Sequence, residues 1–326
     1  MEPAPPISVI VPTCFREKML IDCVASLLNQ SYPNFETIII DQAPEPRLEM
    51  DLSARFGCEK RIRYMHAARA GASRARNIGV KAASSRIVAF IDDDAVADPG
   101  WLQAIADAFA DCRRPALIAG RILPLWDGPR PGWYPPQREY LLGVYNIGGS
   151  LRPLPAADQP IGANMAGLRQ VILDHGGFEE ALGPSYFRKR KMVTGEDAIL
   201  GQRIRSSGFE VVYQPLATVR HHVSKRKQSR QYFLKRHFWE GVTVVQQMQL
   251  LCQVGPHLWP HYRYHGREIC LGFARFLLPG YGNNYSDPHP AIRMLALSRV
   301  FYSLGVLWGL IIPANDTGMK KKCASA

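Results

Sequence analysis

Strand-like and helix-like segments alternate through the first hundred residues of the chain. Residues 7–11 form a β-branched apolar run closed by Pro12, and residues 35–40 form a second run. Between them, apolar residues from Glu17 to Asn29 recur at the spacing of one helix face. Strand, helix and strand make one right-handed crossover unit, and the pattern repeats between residues 62 and 91. The predicted fold class is therefore α/β, with a sheet between layers of helices.

Polar residues follow the predicted strands where each strand ends. Thr13 follows the first strand, Asp41 the second, and Asp92, Asp93 and Asp94 the strand at 87–91. In such folds, ligands bind at the carboxyl ends of the strands. Three adjacent carboxylates repel one another unless a cation neutralises them, which indicates a divalent metal such as Mn²⁺ or Mg²⁺. The alternatives for the triplet are a solvated acidic turn and a helix N-cap.

Two further motifs lie at predicted helix starts. Residues 71–77 (GASRARN) bring arginines to a helix N-terminus, which is a natural anion site, although arginines on a helix are more often solvated. Glu196 and Asp197 follow Gly195 at another helix start, where the helix dipole favours negative charge whatever the function. An aspartate held there near a metal can also serve as a general base.

His221 and His222 follow a short predicted strand at 211–213. Adjacent side chains on an extended chain point in opposite directions, so at most one of the two is expected to join a metal site.

The charge balance calls for an anionic partner. Lys and Arg number 40 against 28 Asp and Glu, a formal charge of +12. A net positive charge favours binding to nucleic acid, to nucleotide phosphates or to an acidic membrane surface. A basic nucleic-acid-binding protein is thus one alternative, but no helix-turn-helix, zinc-finger or RNA-binding motif is visible.

Cysteine usage and the first residues bear on location. The seven cysteines form no CxxC pair, which favours a reducing compartment. Residues 1–6 lack the basic start and apolar stretch of a signal peptide, so a cytoplasmic protein is expected.

Taken in order, seven segments resemble the family 2 glycosyltransferases. The resemblance covers about residues 7–240 and rests on Ser8–Thr13, Ile38–Asp41, Gly71–Asn77, Phe90–Asp94, Gly162–Asn164, Gly177–Phe178 and Gly195–Asp197. It implies a GT-A fold, a Rossmann-like mixed sheet flanked by helices. It also implies an inverting enzyme that uses a nucleotide-activated sugar, most often a UDP-sugar, and a divalent metal.

The resemblance further implies a role for individual residues. Pro12 and Thr13 would lie along the nucleotide, Asp41 would accept a hydrogen bond from the base, and Arg76 would face the diphosphate or nucleoside. Asp92 and Asp93 are assigned to the donor, Asp94 to the metal, and Asp197 to the catalytic base. His222, or else His221, would supply the third metal ligand. Asn164, Glu196 and Trp239 complete the predicted set as substrate-binding residues.

Two segments depart from the family pattern. Gln42–Pro44 replaces the acidic stretch that many relatives carry after Asp41, which bears on base recognition. Lys235–Trp239 replaces the Gln-x-x-Arg-Trp motif of processive polysaccharide synthases, so one sugar per acceptor is expected. A nucleotidyltransferase of the same fold is a third reading, but the glycine-rich basic loop expected after its first strand is absent.

The chain is expected to divide into a catalytic domain over residues 1–240 and a helical region over 241–326. A proline-rich stretch at 115–162 is expected to be a flap on the substrate side of the catalytic domain. The apolar run at 300–312 reaches about 20 Å as a helix, short of the ~20 residues that span a bilayer. With Lys320–Lys322 it predicts either peripheral contact with an anionic inner membrane face, where lipid-linked acceptors occur, or a packed subdomain or dimer interface.

Overall fold

A mixed β-sheet organises the fold in a computed structural model that describes residues 5–46, 48–57, 59–111, 113–187, 192–251, 259–277 and 289–311. Within these residues the strands are β1 (Ile7–Thr13), β2 (Phe35–Asp41), β3 (Ile62–His66), β4 (Ile87–Ile91), β5 (Ala95–Ala97), β6 (Leu117–Trp126), β7 (Arg152–Pro153), β8 (Asn164–Leu168) and β9 (Val211–Val223). The helices are α1 (Glu17–Leu28), α2 (Leu48–Phe56), α3 (Ala72–Ala82), α4 (Trp101–Ala110), α5 (Arg169–Asp174), α6 (Glu196–Ser206), α7 (Arg230–Leu250), α8 (Trp259–Leu277) and α9 (His289–Ile311).

The sheet has a parallel half and an antiparallel half. Its strand order is β3-β2-β1-β4-β8-β6-β9-β5, with β7 beside β9. The first four strands in this order run parallel, and β8 then pairs antiparallel with β4. This is the α/β fold with a mixed sheet that the sequence predicts, and its parallel strands all end at one edge.

The apolar runs form strands because both of their faces are covered. Along β1, Val9 and Val11 join the hydrophobic cluster on one face of the sheet, and Ile10 joins the cluster on the other. A strand buried on both faces is expected to read as a continuous apolar run, which explains why β1 is visible in the sequence.

Two predicted segments differ in the structure. The proline-rich stretch expected to be irregular contains the ten-residue strand β6, because Leu117, Ile118 and Ile122 are buried in the sheet. The strand expected at 211–213 continues for thirteen residues as β9, so His221 and His222 belong to the sheet.

The chain divides into two compact units. The first comprises Met1–Leu125, Gly143–Lys189 and Glu196–His222, and it holds nearly all of the sheet. The second comprises Trp126–Leu142, Arg190–Gly195 and Val223–Ala326. The second unit thus starts before the predicted boundary at residue 240 and also takes in two earlier segments.

The three α-helices in the described part of the second unit are α7, α8 and α9. Helix α9 packs on α7 and α8, and glycines permit the close approach: a Cβ atom on Gly305 would collide with the backbone of Phe238. The apolar helix expected at 300–312 begins eleven residues earlier. Its segment Pro290–Ile311 is long and apolar enough to cross a membrane, and half of its apolar window is buried within the protein. Lys320–Lys322 lie outside the described residues.

Candidate active site

The ends of the parallel strands bring the predicted polar residues together. Thr13 lies opposite Asp41 in the β1–β2 register, and Asp92 directly follows β4. The Thr13 hydroxyl donates a 2.7 Å hydrogen bond to Oδ2 of Asp93. Thr13 is therefore in direct contact with the acidic triplet, at the edge of the sheet where the sequence predicts ligand binding.

Arg16, which the sequence analysis missed, pairs with two members of the triplet. Its Nη1 lies 2.8 Å from Oδ1 of Asp93 and 2.8 Å from Oδ2 of Asp94. Burial raises the pKa of Asp93 to about 6, although the Arg16 charge acts in the opposite direction. The signal that could have identified Arg16 is its position three residues after Thr13, in the loop that leaves β1.

Three side chains form a group with the chemistry of a metal site. Ligand atoms of Asp92, Asp94 and His221 all lie within 4.8 Å of one another. His221 Nε2 lies 3.1 Å from Oδ1 of Asp94, and its buried Nδ1 has no hydrogen-bond partner. Two carboxylates and one imidazole suit a divalent cation such as Mn²⁺.

The choice between the two histidines follows from the strand. His221 of β9 pairs with Ala95 of the neighbouring strand β5. The backbone N–H of His222 donates a hydrogen bond to the carbonyl of Asp94. The side chains of adjacent strand residues point to opposite faces, and the imidazole in the metal-type group is that of His221. Of the two histidines named in the prediction, His221 is therefore the one that lies in the metal-type group, and its role as a ligand stays a prediction.

Arg76 lies between two carboxylates, and its side chain is 3% exposed. Its predicted contact with the diphosphate or nucleoside stays a prediction. Its Nη2 donates to Oδ1 of Asp92 at 2.8 Å, and its Nη1 donates to Oε1 of Glu196 at 2.6 Å. Arg76 therefore orients Asp92, and Glu196, predicted to touch substrate, is buried behind the guanidinium.

Asp197 begins the same helix as Glu196, one residue later. Its Oδ2 accepts a 2.8 Å hydrogen bond from the backbone N–H of Gly162, and its Oδ1 accepts one from Ala198. The side chain is half-buried, and burial raises its pKa. Burial and the neighbouring Asp197 charge also raise the pKa of Glu196, to about 7. Asp197 is thus an oriented carboxylate of increased basicity.

The side-chain amide of Asn164 is hydrogen-bonded within the protein. Its Oδ1 accepts from the indole N–H of Trp101, and its Nδ2 donates to the carbonyls of Arg121 and Ala217 at 2.7 and 2.8 Å. With its amide satisfied and its surface 1% exposed, Asn164 holds β8 in place, and its predicted contact with substrate stays a prediction.

Three other predicted residues remain in place without a tested role. Asp41 is buried and accepts hydrogen bonds from the Tyr64 hydroxyl and the Ala43 N–H, so its contact with a base stays a prediction. Pro12 is buried in β1 beside Thr13. Trp239 lies half-buried on α7 in the second unit, and its predicted contact with substrate also stays a prediction.

Comparison with known proteins agrees with this geometry. A family model described as Glycosyl transferase family 2 matches residues 8–174, just over half of the chain. The glucosyl-dolichyl phosphate glucuronosyltransferase of Haloferax volcanii is 25% identical over 238 residues, covering 72% of this chain and 75% of that protein. A pre-mycofactocin glycosyltransferase of Mycobacterium tuberculosis is 27% identical over 238 residues, covering 72% of this chain but only 46% of that protein.

A solved structure shows the same fold. The mannosyltransferase PcManGT from Pyrobaculum calidifontis, in complex with GDP-Man and Mn²⁺, superposes with a TM-score of 0.63. The match is 17% identical in sequence and covers 95% of this chain and 88% of that chain. The mixed sheet with its flanking helices is therefore a GT-A fold. With the family model matched over more than half of its length, the chain belongs to glycosyltransferase family 2.

Proposed function

We propose that this glycosyltransferase is an inverting, metal-dependent enzyme that moves one sugar from a nucleoside diphosphate donor to a hydroxyl of a glycan or lipid-linked acceptor. One observation carries the proposal: Arg76 bonds on one side to Asp92 of the metal-type group and on the other to Glu196, the neighbour of Asp197. A single buried guanidinium thus bonds one carboxylate of the metal-type group and the residue next to Asp197, the carboxylate suited to activating the acceptor.

The donor set fits Mn²⁺ or Mg²⁺. Asp92, Asp94 and His221 would hold the ion, and the unpartnered Nδ1 of His221 shows that this imidazole is not saturated by the protein. A bound divalent ion supplies positive charge that stabilises the departing diphosphate. The Mn²⁺ of the solved mannosyltransferase supports the choice of ion.

Asp197 is the proposed general base. A sugar hydroxyl is a weak nucleophile at neutral pH, so a carboxylate must take its proton as the new bond forms. The N–H groups of Gly162 and Ala198 hold Asp197 in one orientation, and partial exposure leaves it accessible to an acceptor. The acceptor oxygen then bonds to the anomeric carbon. The bond from this carbon to the diphosphate breaks, and its electron pair leaves with the diphosphate oxygen. This single in-line displacement inverts the anomeric centre.

The donor base is proposed to be uracil. The proposal rests on the family resemblance around Asp41 and Thr13, whereas the solved relative carries GDP-Man. A UDP-sugar is therefore the first donor to test, and GDP-mannose is the second.

A lipid-linked acceptor at a membrane surface is proposed from the second unit. Helices α8 and α9 carry five arginines and one glutamate between residues 259–277 and 289–311. Apolar side chains follow one side of α9 at spacings of four and three residues: Leu297, Phe301, Leu304, Trp308 and Ile311, the last three exposed. An apolar stripe among basic residues suits the surface of an anionic bilayer. The name of the Haloferax relative, which includes a dolichyl phosphate, is consistent with such an acceptor.

A donor panel tests the function. Purified protein is incubated with UDP- and GDP-sugars in the presence of Mn²⁺, and release of the nucleoside diphosphate is measured with and without EDTA. We expect release from one donor class and its loss on chelation. Activity that survives exhaustive chelation would contradict the metal-dependent proposal.

A further inference from the structure

The Arg16 guanidinium is inserted into the acidic triplet. Its Nη1 contacts both Asp93 and Asp94 at 2.8 Å, and its Nε donates a 2.8 Å hydrogen bond to the hydroxyl of Tyr186. The buried carboxylates attract a positive charge, and Arg16 supplies one from the protein itself.

The turn before α1 directs Arg16 to this position. Phe15 has φ 56°, a left-handed conformation that aromatic residues seldom adopt. The Phe15 ring packs edge-on against that of Tyr186, with 5.9 Å between ring centroids. Two contacts therefore connect this turn to Tyr186, one through Phe15 and one through Arg16.

Arg16 shares Asp94 with the metal-type group. Asp94 Oδ2 contacts Arg16, while its Oδ1 lies 3.1 Å from His221. A divalent cation held by Asp94 would lie close to the guanidinium, and two cations on one carboxylate repel each other. Arg76 is 3% exposed between Asp92 and Glu196, whereas the side chain of Arg16 is 31% exposed.

We propose that Arg16 is a resident counter-cation of the triplet, which gives up Asp94 when a divalent cation binds and pairs with the diphosphate of the donor. The inference rests on the proposed metal-dependent function. With the divalent ion present the site has surplus positive charge, and a guanidinium freed from its carboxylates is a strong, often bidentate ligand for phosphate oxygens.

Binding of two probes to purified full-length protein tests this role. Mn²⁺ alone is titrated with detection of the free ion by electron paramagnetic resonance, and UDP is titrated by calorimetry at saturating Mn²⁺. For Arg16→Gln we expect Mn²⁺ alone to bind about tenfold more tightly, because a competing cation is removed. We expect UDP to bind about tenfold more weakly, the loss of one charge-assisted contact.

Controls separate this role from a structural one. Arg61→Gln removes a surface arginine paired with Glu59 and should change neither constant. Arg16→Lys keeps the charge and should leave the Mn²⁺ constant close to that of the wild type. Opposite shifts of the two constants cannot arise from a damaged fold, which would weaken both.

The outcomes are distinct. An Arg16→Gln variant with unchanged or weaker Mn²⁺ binding, or with unchanged UDP binding, would overturn the proposal while leaving the proposed function intact. Wild-type protein that binds neither Mn²⁺ nor UDP would instead refute the proposed function, and this inference with it.

Discussion

Nη1 of Arg76 lies 2.6 Å from Oε1 of Glu196, and the two side chains are 3% and 4% exposed. Arg76 Nε and Glu196 Oε2 are buried without a hydrogen-bond partner, so the Glu196 charge is compensated mainly by Arg76, whereas Arg76 also pairs with Asp92. A buried pair of this kind is costly to break, because removal of one partner leaves the other charge uncompensated.

Arg76→Met should lower the free energy of unfolding by about 3–5 kcal/mol, since it strands Glu196 and releases Asp92. Adding Glu196→Gln in the same chain should recover part of this loss. Urea denaturation of the two variants measures both effects. The control is Arg203→Met, whose pair with Glu179 is partly exposed and should cost less than about 1 kcal/mol. Equal losses in Arg76→Met and Arg203→Met would contradict the buried pair.

Asp197→Asn should reduce kcat by about 10²–10⁴-fold, the contribution of a positioned base, while the Kd for UDP with Mn²⁺ stays within about twofold. The exposed Asp174 provides a matched control as Asp174→Asn, with normal activity expected. Near-normal turnover by Asp197→Asn would remove this residue from the base role.

The pH dependence of kcat offers a second readout of Asp197. Only the ionised carboxylate can take a proton from the acceptor, and burial raises its pKa. We expect kcat to be constant above this raised pKa and to fall as the pH decreases through it. A rate that instead rises toward acidic pH would contradict a carboxylate base.

The spacing of apolar residues along the chain was sufficient to predict the strands and helices of the first crossover unit. The β1–α1–β2 unit was visible because both strands are buried on two faces and the helix on one. The triplet and Thr13 were placed at one edge because parallel strands end together. These inferences need only residues within a few tens of positions.

The surroundings of two predicted site residues depend on partners that are distant in the sequence. Arg76 is buried because of Glu196, 120 residues away in sequence, and Asn164 is occupied by Trp101 and the Ala217 carbonyl. The sequence near Arg76 and Asn164 does not predict which distant residues they will contact. The start of α9 was missed for another reason: Arg293 and Arg299 interrupt the apolar run, although a helix with one exposed side tolerates arginines there.

His221→Gln should weaken binding of Mn²⁺ by about tenfold or more, since it removes one of three donor groups. His222→Gln is the matched control, because its side chain is not in the group and its backbone bond to Asp94 is retained. Titration of Mn²⁺ without nucleotide compares the two variants. A larger loss in His222→Gln would restore the original assignment of that residue.

His237 should make the stability of the second unit sensitive to acid. Burial lowers its pKa to about 3, from an ordinary value near 6.5, and the charges of Arg138 and Arg236 act in the same direction. The unfolded chain therefore binds the proton first, so stability falls as the pH drops from 6.5 toward 3, by up to about 1.4 kcal/mol per pH unit.

Chemical denaturation at pH 7 and pH 5 checks this linkage. His237→Gln should lose about 2 kcal/mol less than the wild type between the two pH values. His175→Gln, outside the second unit, should behave as the wild type does. An identical pH dependence in wild type and His237→Gln would show that His237 is not the group responsible.

Leu304→Ser with Trp308→Ser should weaken binding to phosphatidylglycerol-containing vesicles by at least about tenfold, because each exposed apolar side chain buried in the interface contributes of the order of 1.5–3 kcal/mol. Met50→Ser, which removes an exposed apolar side chain of the first unit, should leave vesicle binding unchanged.

Wild-type binding to vesicles should also decrease with added salt and be weaker on neutral vesicles, because salt screens the charges of the arginines on α8 and α9. Sedimentation with vesicles measures these effects, and gel filtration accompanies it. If the double variant binds vesicles normally but converts a wild-type dimer to a monomer, the stripe on α9 is a contact between two copies of the chain and the membrane proposal is wrong.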